Sequence, residues 1–322
     1  MDYSKISIVT PSFNQGKFLE QTILSVINQK YPNLEYIIID GGSTDNSVDI
    51  IKKYENHLTY WVSEKDNGQS DAINKGIKKC TGEIFNWLNS DDYYADGVFQ
   101  EVAQSFSGGV DVVCGKHNFL YPDGSNAYST KFPHSADICE VISSTKYLQA
   151  STFYRLDFMR KINGVNPMLH HSMDFEMWVK YLFMYGLSKI KINNNFTVNY
   201  RIHNSSKTFL SPESFESDQL KIFISIVSKF NSNVIDKYKS LLNGYKFDIA
   251  TGFLDENISK RSCALFFYDR LVSFYGKRDF SSFDFFLELI DLNFLDKRRA
   301  EEVRKIKRRR LTPKWIYRLI GK

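Results

Sequence analysis

The chain has 322 residues, of which 43% are hydrophobic and 15% aromatic. A chain of this length and composition can bury a substantial core, which excludes the disordered and low-complexity classes. Residues 297–322 contain twelve Lys or Arg and two Glu, a net charge of +10, so the rest of the chain is net −5. This mildly acidic body argues against a nucleic-acid-binding protein.

Targeting signals and cysteine spacing point to the cytoplasm. The N-terminus, "MDYSKISIVT", has no basic region followed by an apolar segment, so we expect no secretory signal. No apolar run approaches the ~18 residues of a membrane span. The cysteines are scattered and form neither a CxxC pair nor a zinc spacing, which predicts buried free thiols in a reducing compartment; they are Cys80, Cys114, Cys139 and Cys263.

The first third of the chain alternates between short apolar strands and amphipathic helices. The predicted strands are "KISIVTPSF", "LEYIIIDGGSTD", "LTYWVSEKD" and "EIFNWLN". The predicted helices between them are "KFLEQTILSVINQ", "NSVDIIKKYE" and "SDAINKGIKKC". This alternation predicts an α/β fold with a parallel, doubly wound sheet, whose ligands bind at the carboxyl ends of the strands.

Polar clusters follow all four predicted strands. One of them, Asn89-Ser90-Asp91-Asp92, would by itself be typical of a turn. Four such clusters at one edge of a sheet instead predict a binding site. There is no GxGxxG after the first strand and no GxxxxGK[ST], which disfavours a dinucleotide fold and a P-loop. Carboxylates at this edge point to Mg²⁺ or Mn²⁺, which share oxygen ligands with substrate phosphates.

Four segments, in this order and spacing, resemble an inverting family 2 glycosyltransferase of the GT-A fold. They are "IVTPSFNQGKFLEQTILSVINQKYPNLEYIIIDGGSTDNS", "DNGQSDAINKGIKKCTGEIFNWLNSDD", "MDFEMWVKY" and "YRIHNSSKT". The resemblance implies a GT-A catalytic domain over about residues 1–210, with a Rossmann-like, mainly parallel sheet flanked by helices. Apolar stripes predict a helical C-terminal region at 211–296, which precedes a basic amphipathic tail at 297–322.

The resemblance also implies roles for individual residues at the donor site. Its DxD motif aligns with Asn89-Ser90-Asp91, where Asn89 replaces the commoner first Asp. The divalent cation, Mn²⁺ or Mg²⁺, is expected chiefly on Asp91, with Asp92 in support or holding the acceptor side. His203 is expected to complete the shell or contact the diphosphate. Which of the two aspartates is the inner ligand is left open. The residues expected to bind the donor nucleotide are Thr10, Pro11, Asp40, Asp66, Asn74, Asn89 and Ser90.

Asp174 is the expected catalytic base. A carboxylate in the first turn of a helix is often explained by the helix dipole alone. The resemblance, however, places the base at this point, just ahead of a Trp-bearing helix. Glu176 is the runner-up and should face about 200° away on the helix. Residues expected on the acceptor side are Gln149, Glu176 and Trp178.

The implied reaction is transfer of a sugar, with inversion, from a nucleotide-sugar to a glycan or lipid-linked acceptor. A UDP-sugar is the expected donor, and bacterial surface polysaccharide assembly at the inner face of the membrane is the expected setting. Because of Asn89, a non-catalytic protein that binds nucleotide-sugars or glycans is the alternative.

The C-terminal tail predicts a membrane anchor. Thr312 is a good helix N-cap and Pro313 suits the first helical position. An apolar face follows, in a strongly basic segment, and this combination is typical of helices that bind anionic membrane. A solvated tail or a protein contact is the alternative. The residues of that face are Trp315, Ile316, Leu319 and Ile320.

Overall fold

The computed structural model describes residues 4–121, 123, 125–130 and 135–311. The chain forms two compact units. The first contains the described part of Met1–His134 together with Thr145–Leu220, and the second contains Ser135–Ser144 with the described part of Lys221–Lys322. The sequence-predicted boundary at residue 210 thus lies ten residues before the end of the first unit.

The first unit begins with strands and helices that alternate as the sequence predicted. All seven residues of the first strand are buried, as expected for a continuous apolar strand inside a sheet. Gly76 lies against this strand, because a Cβ at that position would collide with the side chain of Val9. The elements are β1 (Ile6–Ser12), α1 (Gly16–Ile27), β2 (Leu34–Asp40), α2 (Ser47–Lys53), β3 (Tyr60–Ser63), α3 (Gln69–Lys79) and β4 (Ile84–Trp87).

The next stretch of chain completes the sheet with strands that pair less regularly. We call residues 89–92, which follow β4, the corner. The longest strand of this stretch, β9, brings residues 200–203 beside the corner, because Tyr93 of β5 pairs with Asn199. The elements are β5 (Tyr93–Tyr94), α4 (Val98–Ser105), β6 (Val112–Leu120), β7 (Asn126–Thr130), α5 (Ile138–Ser143), β8 (Thr152–Arg155), α6 (Leu156–Lys161), α7 (Met173–Tyr185), β9 (Ile190–Arg201) and α8 (Lys207–Leu210).

The strands of the described chain form one mixed sheet in the order β3-β2-β1-β4-β8-β6-β9-β5, with β7 paired to β6. Strands β1 to β4 pair in parallel, as predicted, and so do β6 and β9. The other four pairings, including those of β8 with β4 and β6, are antiparallel. The predicted α/β fold with flanking helices is confirmed, and its parallel part is concentrated in the first four strands.

The core of the first unit contains a chain of aromatic rings in edge and tilted contact. Tyr94 and Phe99 lie 5.2 Å apart between ring centroids, and Phe153 lies 5.9 Å from both Tyr94 and Phe196. These contacts join β5, α4, β8 and β9, so the irregular half of the sheet is held by aromatic packing. The corner after β4 is therefore anchored on a buried core.

The second unit is helical, which confirms the predicted helical C-terminal region. Asp137 caps α5 and forms an ion pair with Arg261. The helices of this part are α9 (Pro212–Ser228), whose last turns belong to the second unit, α10 (Ser232–Lys237), α11 (Lys239–Leu242), α12 (Glu256–Lys277), α13 (Phe280–Leu289) and α14 (Lys297–Leu311).

The last described helix is amphipathic. Ala300, Val303 and Ile306 of α14 are buried, and most of its Lys and Arg side chains are exposed. The predicted apolar face at Trp315 and its neighbours lies outside the described residues. Within the described chain, no helix is both long enough and apolar enough to cross a bilayer. All four cysteines are buried free thiols, as predicted.

Candidate active site

A cavity of about 970 Å³ opens in the first unit, at the carboxyl ends of β1, β2 and β4. Its volume lies at the upper end of the ~300–1,000 Å³ typical of ligand sites. Seven of the residues predicted from sequence line its wall: Pro11, Asp66, Asn89, Ser90, Asp91, Gln149 and Asp174. The other predicted residues lie behind the wall: Thr10, Asp40, Asn74, Asp92, Glu176, Trp178 and His203.

The aspartates after β2 and β3 have different surroundings. Asp40 is buried, and its carboxylate accepts hydrogen bonds from the N–H groups of Gly42 and Ser43 and from two serine hydroxyls. It therefore holds the turn after β2. Asp66 lines the cavity and accepts a bond from the Gly68 N–H at 2.8 Å. A Cβ at Gly41 would lie 2.8 Å from Asp66 Oδ2, so the missing side chain leaves room for this carboxylate.

Two other predicted residues support the wall from behind, and hydrogen bonds hold Gln149 on the wall itself. Thr10 is buried, with its Oγ1 3.1 Å from the Tyr36 hydroxyl. Asn74 bonds both the N–H and the carbonyl of Val165, which ties α3 to the segment before α7. Gln149 reaches the wall from the other side, and its Nε2 donates to Asn86 Oδ1 and the Trp87 carbonyl, fixing the end of β4.

The corner after β4 divides its two carboxylates between the cavity and the interior. The Asp91 side chain is 20% exposed, and its Oδ2 lies 3.0 Å from His203 Nε2. Asp92 is 1% exposed, and its Oδ1 accepts a 3.0 Å bond from the backbone N–H of Arg201. Burial, and next the charge of Asp91, raise the pKa of Asp92 well above its ordinary range. Asp92 therefore fixes β9 against the corner and does not face the cavity.

Arg201 holds the corner from the side of β9. Its guanidinium donates to the Asp91 carbonyl and to Gln21 Oε1. The same group lies over two aromatic rings, 5.1 Å from the centroid of Phe18 and 4.5 Å from that of Tyr93. Such cation–π contacts favour a single orientation of the side chain. The Asp91 carbonyl and the Asp92 carboxylate are thus placed by Arg201 of β9, whereas the Asp91 carboxylate contacts His203 just beyond the end of that strand.

His203 and Asp91 form the pair that suits a cation. Among the residues that the structure describes, no three His, Cys, Asp or Glu side chains gather into a metal-binding group. Mg²⁺ and similar divalent ions such as Mn²⁺, however, are commonly bound by one or two protein side chains, with substrate phosphates and water as the remaining ligands. Asp91 Oδ2 and His203 Nε2 fit this pattern, and the Ser205 hydroxyl at 2.8 Å from Nδ1 orients the ring. Asp92 does not fit, because its carboxylate bonds the backbone.

Asp174 lines the cavity in the first turn of α7. Its Oδ1 accepts a 2.8 Å bond from the Phe175 N–H, and burial raises the pKa of its carboxyl from 3.8 to about 6. Glu176 points into the interior, where it contacts Lys180 Nζ at 3.2 Å and Asn166 Nδ2 at 3.0 Å. Asp174 and Glu176 thus point to opposite sides of α7, as expected for two residues that are two positions apart on a helix. Trp178 is also buried and stacks on Tyr147, with 5.4 Å between ring centroids.

Comparison with known proteins identifies the family of the chain. The family described as Glycosyl transferase family 2 matches residues 7–174, just over half of the chain. The chain belongs to glycosyltransferase family 2. An uncharacterised glycosyltransferase of Nostoc sp. is 28% identical over 231 residues, which cover 67% of this chain and 70% of the relative.

Solved structures show the same fold. TarS of S. aureus (residues 1–349), in complex with UDP-GlcNAc, superposes with a TM-score of 0.64 at 17% identity, over 94% of this chain and 88% of TarS. A mannosyltransferase of Pyrobaculum calidifontis, in complex with GDP-Man and Mn²⁺, gives a TM-score of 0.52 at 12% identity, over 85% of this chain and 76% of its own. The predicted family, GT-A fold and transferase class are confirmed.

Three further residues line the wall of this family 2 glycosyltransferase: Lys207, one of the basic neighbours of His203, and two aromatic residues that the sequence patterns did not mark. Lys207 lines the cavity, and its Nζ donates to Gln69 Oε1 at 2.8 Å and to the His170 carbonyl at 3.1 Å. Phe119 and Tyr200 line the cavity as well. The alternation of His117 and Phe119 along β6 was a readable signal that both rings share one face of the strand.

Proposed function

We propose that this family 2 glycosyltransferase moves a sugar from a nucleotide-diphosphate-sugar, a UDP-sugar, to a hydroxyl of a glycan or lipid-linked acceptor, with inversion. One observation carries the proposal: the Asn89–Asp91 corner and Asp174, whose pKa is raised to about 6, line a single cavity. The fold shared with TarS, whose structure contains UDP-GlcNAc, supports a nucleotide-sugar donor.

The donor nucleotide would lie on the wall formed by Pro11, Asp66 and Ser90. Thr10, Asp40 and Asn74 act from behind this wall. The hydrogen bonds of Thr10 and Asp40 fix β1 and the end of β2, and those of Asn74 tie α3 to the segment before α7. The Asn89 amide, bonded to Gln69 at 2.8 Å, is placed to contact a ribose hydroxyl. Such rigid support favours a preformed site, since little ordering is needed on binding.

The diphosphate would lie at Asp91 and His203. Asp91 and His203 would hold a divalent cation, Mn²⁺ or Mg²⁺, which would supply positive charge to stabilise the departing diphosphate. The Mn²⁺ in the mannosyltransferase structure supports this choice of ion. Lys207, on the same wall, adds a second positive charge. Burial lowers the pKa of its ammonium group, and the charges of Asp174 and Asp91 oppose that shift. Asp92 and Arg201 would position this group of residues without contacting the substrate.

Asp174 would accept the proton of the acceptor hydroxyl as that oxygen attacks the anomeric carbon. Its pKa of about 6 leaves it ionised at pH 7, yet more basic than an ordinary aspartate. A base is most effective when its pKa lies near the working pH. Glu176 cannot share this role from its place in the interior, beside Lys180.

Donor binding and hydrolysis test the proposal directly. A thermal-shift screen of nucleotide-sugars with Mn²⁺ should find one donor that raises the unfolding temperature, because a ligand that binds only the folded state stabilises it. The same donor should be slowly hydrolysed without acceptor, and EDTA should abolish that hydrolysis. Stabilisation by no nucleotide-sugar, with or without Mn²⁺, would contradict the proposal.

We also propose that the protein acts in surface polysaccharide assembly at the inner face of the cell membrane, held there by its basic C-terminus. The exposed side chains of α14, Arg304, Lys305 and Arg309 among them, are suited to anionic lipid headgroups. Cosedimentation with vesicles that contain phosphatidylglycerol should decrease when residues 312–322 are deleted. It should decrease further when these three side chains are changed to Gln. Equal vesicle binding by the unchanged protein, the deletion and the Gln variant would contradict the proposed membrane anchor.

A further inference from the structure

The cavity has a floor of three aromatic rings on the sheet, formed by His117, Phe119 and Tyr200. Phe119 of β6 pairs with Tyr200 of β9, and their ring centroids lie 5.3 Å apart. His117 lies on the same face of β6, 5.8 Å from Phe119 and 6.0 Å from Tyr200. All three residues line the cavity. We call this surface the aromatic floor.

The aromatic floor lies next to the reacting groups. Tyr200 directly precedes Arg201, whose backbone N–H donates to Asp92, and Tyr200 lines the same cavity as Asp91 and Asp174. The Tyr200 hydroxyl lies 2.6 Å from Thr208 Oγ1, on the α8 segment that also carries Lys207. The floor is therefore where the molecule that gives its proton to Asp174 would lie.

We propose that the aromatic floor is the acceptor subsite and that it takes a neutral sugar ring. This inference rests on the proposed function and adds the class of acceptor. A pyranose has an apolar face of C–H groups with partial positive charge, and aromatic rings present a large apolar area with a negative face. A sugar lying on Phe119 and Tyr200 keeps its hydroxyls at the ring edge, where one can point to Asp174.

The charges of the wall disfavour the main competing class, a polyol-phosphate chain. Phosphate groups are usually bound by clustered Arg or Lys, or at helix N-termini. Among the described residues, the cavity wall carries two Lys and no Arg: Lys65 lies next to Asp66 after β3, and Lys207 already bonds Gln69 and the His170 carbonyl. The N-terminus of α7 carries the Asp174 carboxylate itself. An anionic chain would meet carboxylates and the negative faces of rings.

The test measures transfer to two acceptor panels, with donor hydrolysis measured in parallel. The first panel contains methyl pyranosides and neutral oligosaccharides, and the second contains oligomers of glycerol phosphate and ribitol phosphate. We expect transfer to members of the first panel. Transfer to the second panel alone, or to neither while the donor is still hydrolysed, overturns the acceptor class and leaves the proposed function standing. A protein that neither binds nor hydrolyses any nucleotide-sugar overturns both.

A ring-removing substitution locates the subsite. Phe119→Leu keeps an apolar side chain, and we expect it to raise the KM for the sugar acceptor about 3- to 10-fold, the range of one aromatic contact. The KM for the donor and the rate of donor hydrolysis should not change. Phe253→Leu, a matched change at a ring that is 41% exposed in the second unit, should leave every constant unchanged. An unchanged acceptor KM in Phe119→Leu overturns the assignment.

Discussion

Two regions of this glycosyltransferase each place two carboxylates close together in sequence, and in each region the two carboxylates have different surroundings. At the corner after β4, Asp91 lines the cavity and Asp92 is buried. At the start of α7, Asp174 lines the cavity and Glu176 is buried. In both regions one carboxylate is available to substrate while the other supports the local structure. The two buried carboxylates differ in how the cost of their burial is offset.

Glu176 is held by a cation, whereas Asp92 is held by the backbone. Lys180 Nζ lies 3.2 Å from Glu176, one helical turn away. Asp92 accepts from the Arg201 N–H, and its pKa is raised by burial and by Asp91. The first arrangement keeps a charge inside the protein by pairing it, and the second favours the neutral form of the acid. Substitutions in the two regions should therefore have different consequences.

The largest effect is expected at Asp91. Asp91→Ala should lower the transfer rate by about a thousandfold or more, because loss of a cation ligand removes several kcal/mol of transition-state stabilisation. The rate is measured by nucleotide release at saturating Mn²⁺. Asp92→Asn is the matched control and should keep activity within about tenfold, since its amide can still accept the Arg201 N–H. If Asp92→Asn were inactive and Asp91→Ala active, Asp92 and not Asp91 would be the cation ligand.

Asp174→Asn should lower the turnover number by about 10²- to 10⁴-fold, the usual contribution of a general base. Donor affinity should stay the same, because Asn keeps the size and polarity of the side chain. In the unchanged enzyme, turnover should fall about tenfold per pH unit below the Asp174 pKa of about 6 and level off above it. A pH–rate profile of both proteins checks this, and an acid limb that persists in Asp174→Asn would assign it to another group.

Glu176→Gln should affect stability more than catalysis. Removing one partner of a buried ion pair costs about 3–5 kcal/mol, because the remaining charge loses its compensation. Urea unfolding should therefore show a marked loss of stability, while turnover of the folded protein stays within a few-fold. Asp174→Asn provides the control on the same helix. If Glu176→Gln were stable and inactive, the base would be two residues further along the chain.

The fold could be predicted from sequence because alternating strands and helices fix which strand ends meet. This was sufficient for Pro11, Asp66 and Asp91, which lie on the cavity wall. The direction of a side chain at a strand end is decided by local hydrogen bonds that the sequence does not reveal. Asp40, for example, turns back to its own loop and bonds Ser43, and Thr10 faces Tyr36.

The part of the site that sequence missed depends on long-range pairing. Phe119 and Tyr200 are 81 positions apart and meet only because β6 pairs in parallel with β9. Asp92 is likewise fixed by the N–H of Arg201. Local patterns predict the strands but not this register, since an irregularity in the β6–β9 pairing between Cys114 and Lys116 shifts it. The aromatic floor could therefore be found only in the folded structure.

The smallest expected effect is a gain in stability from Asp174→Asn. The folded pKa of about 6 exceeds the ordinary 3.8, so the ionised carboxylate destabilises the folded state at pH 7. The full difference corresponds to at most about 3 kcal/mol, and partial access from the cavity reduces it, so we expect about 1–2 kcal/mol. The Asp174 carboxyl favours the folded state below pH 3.8, and this contribution to stability is lost as the pH rises through 6. Urea unfolding of both proteins should thus show the variant more stable at pH 7, with the gap closing towards pH 4. A variant less stable than the unchanged protein at pH 7 would show that the Asp174 carboxylate stabilises the fold, which would remove the reason for its raised pKa.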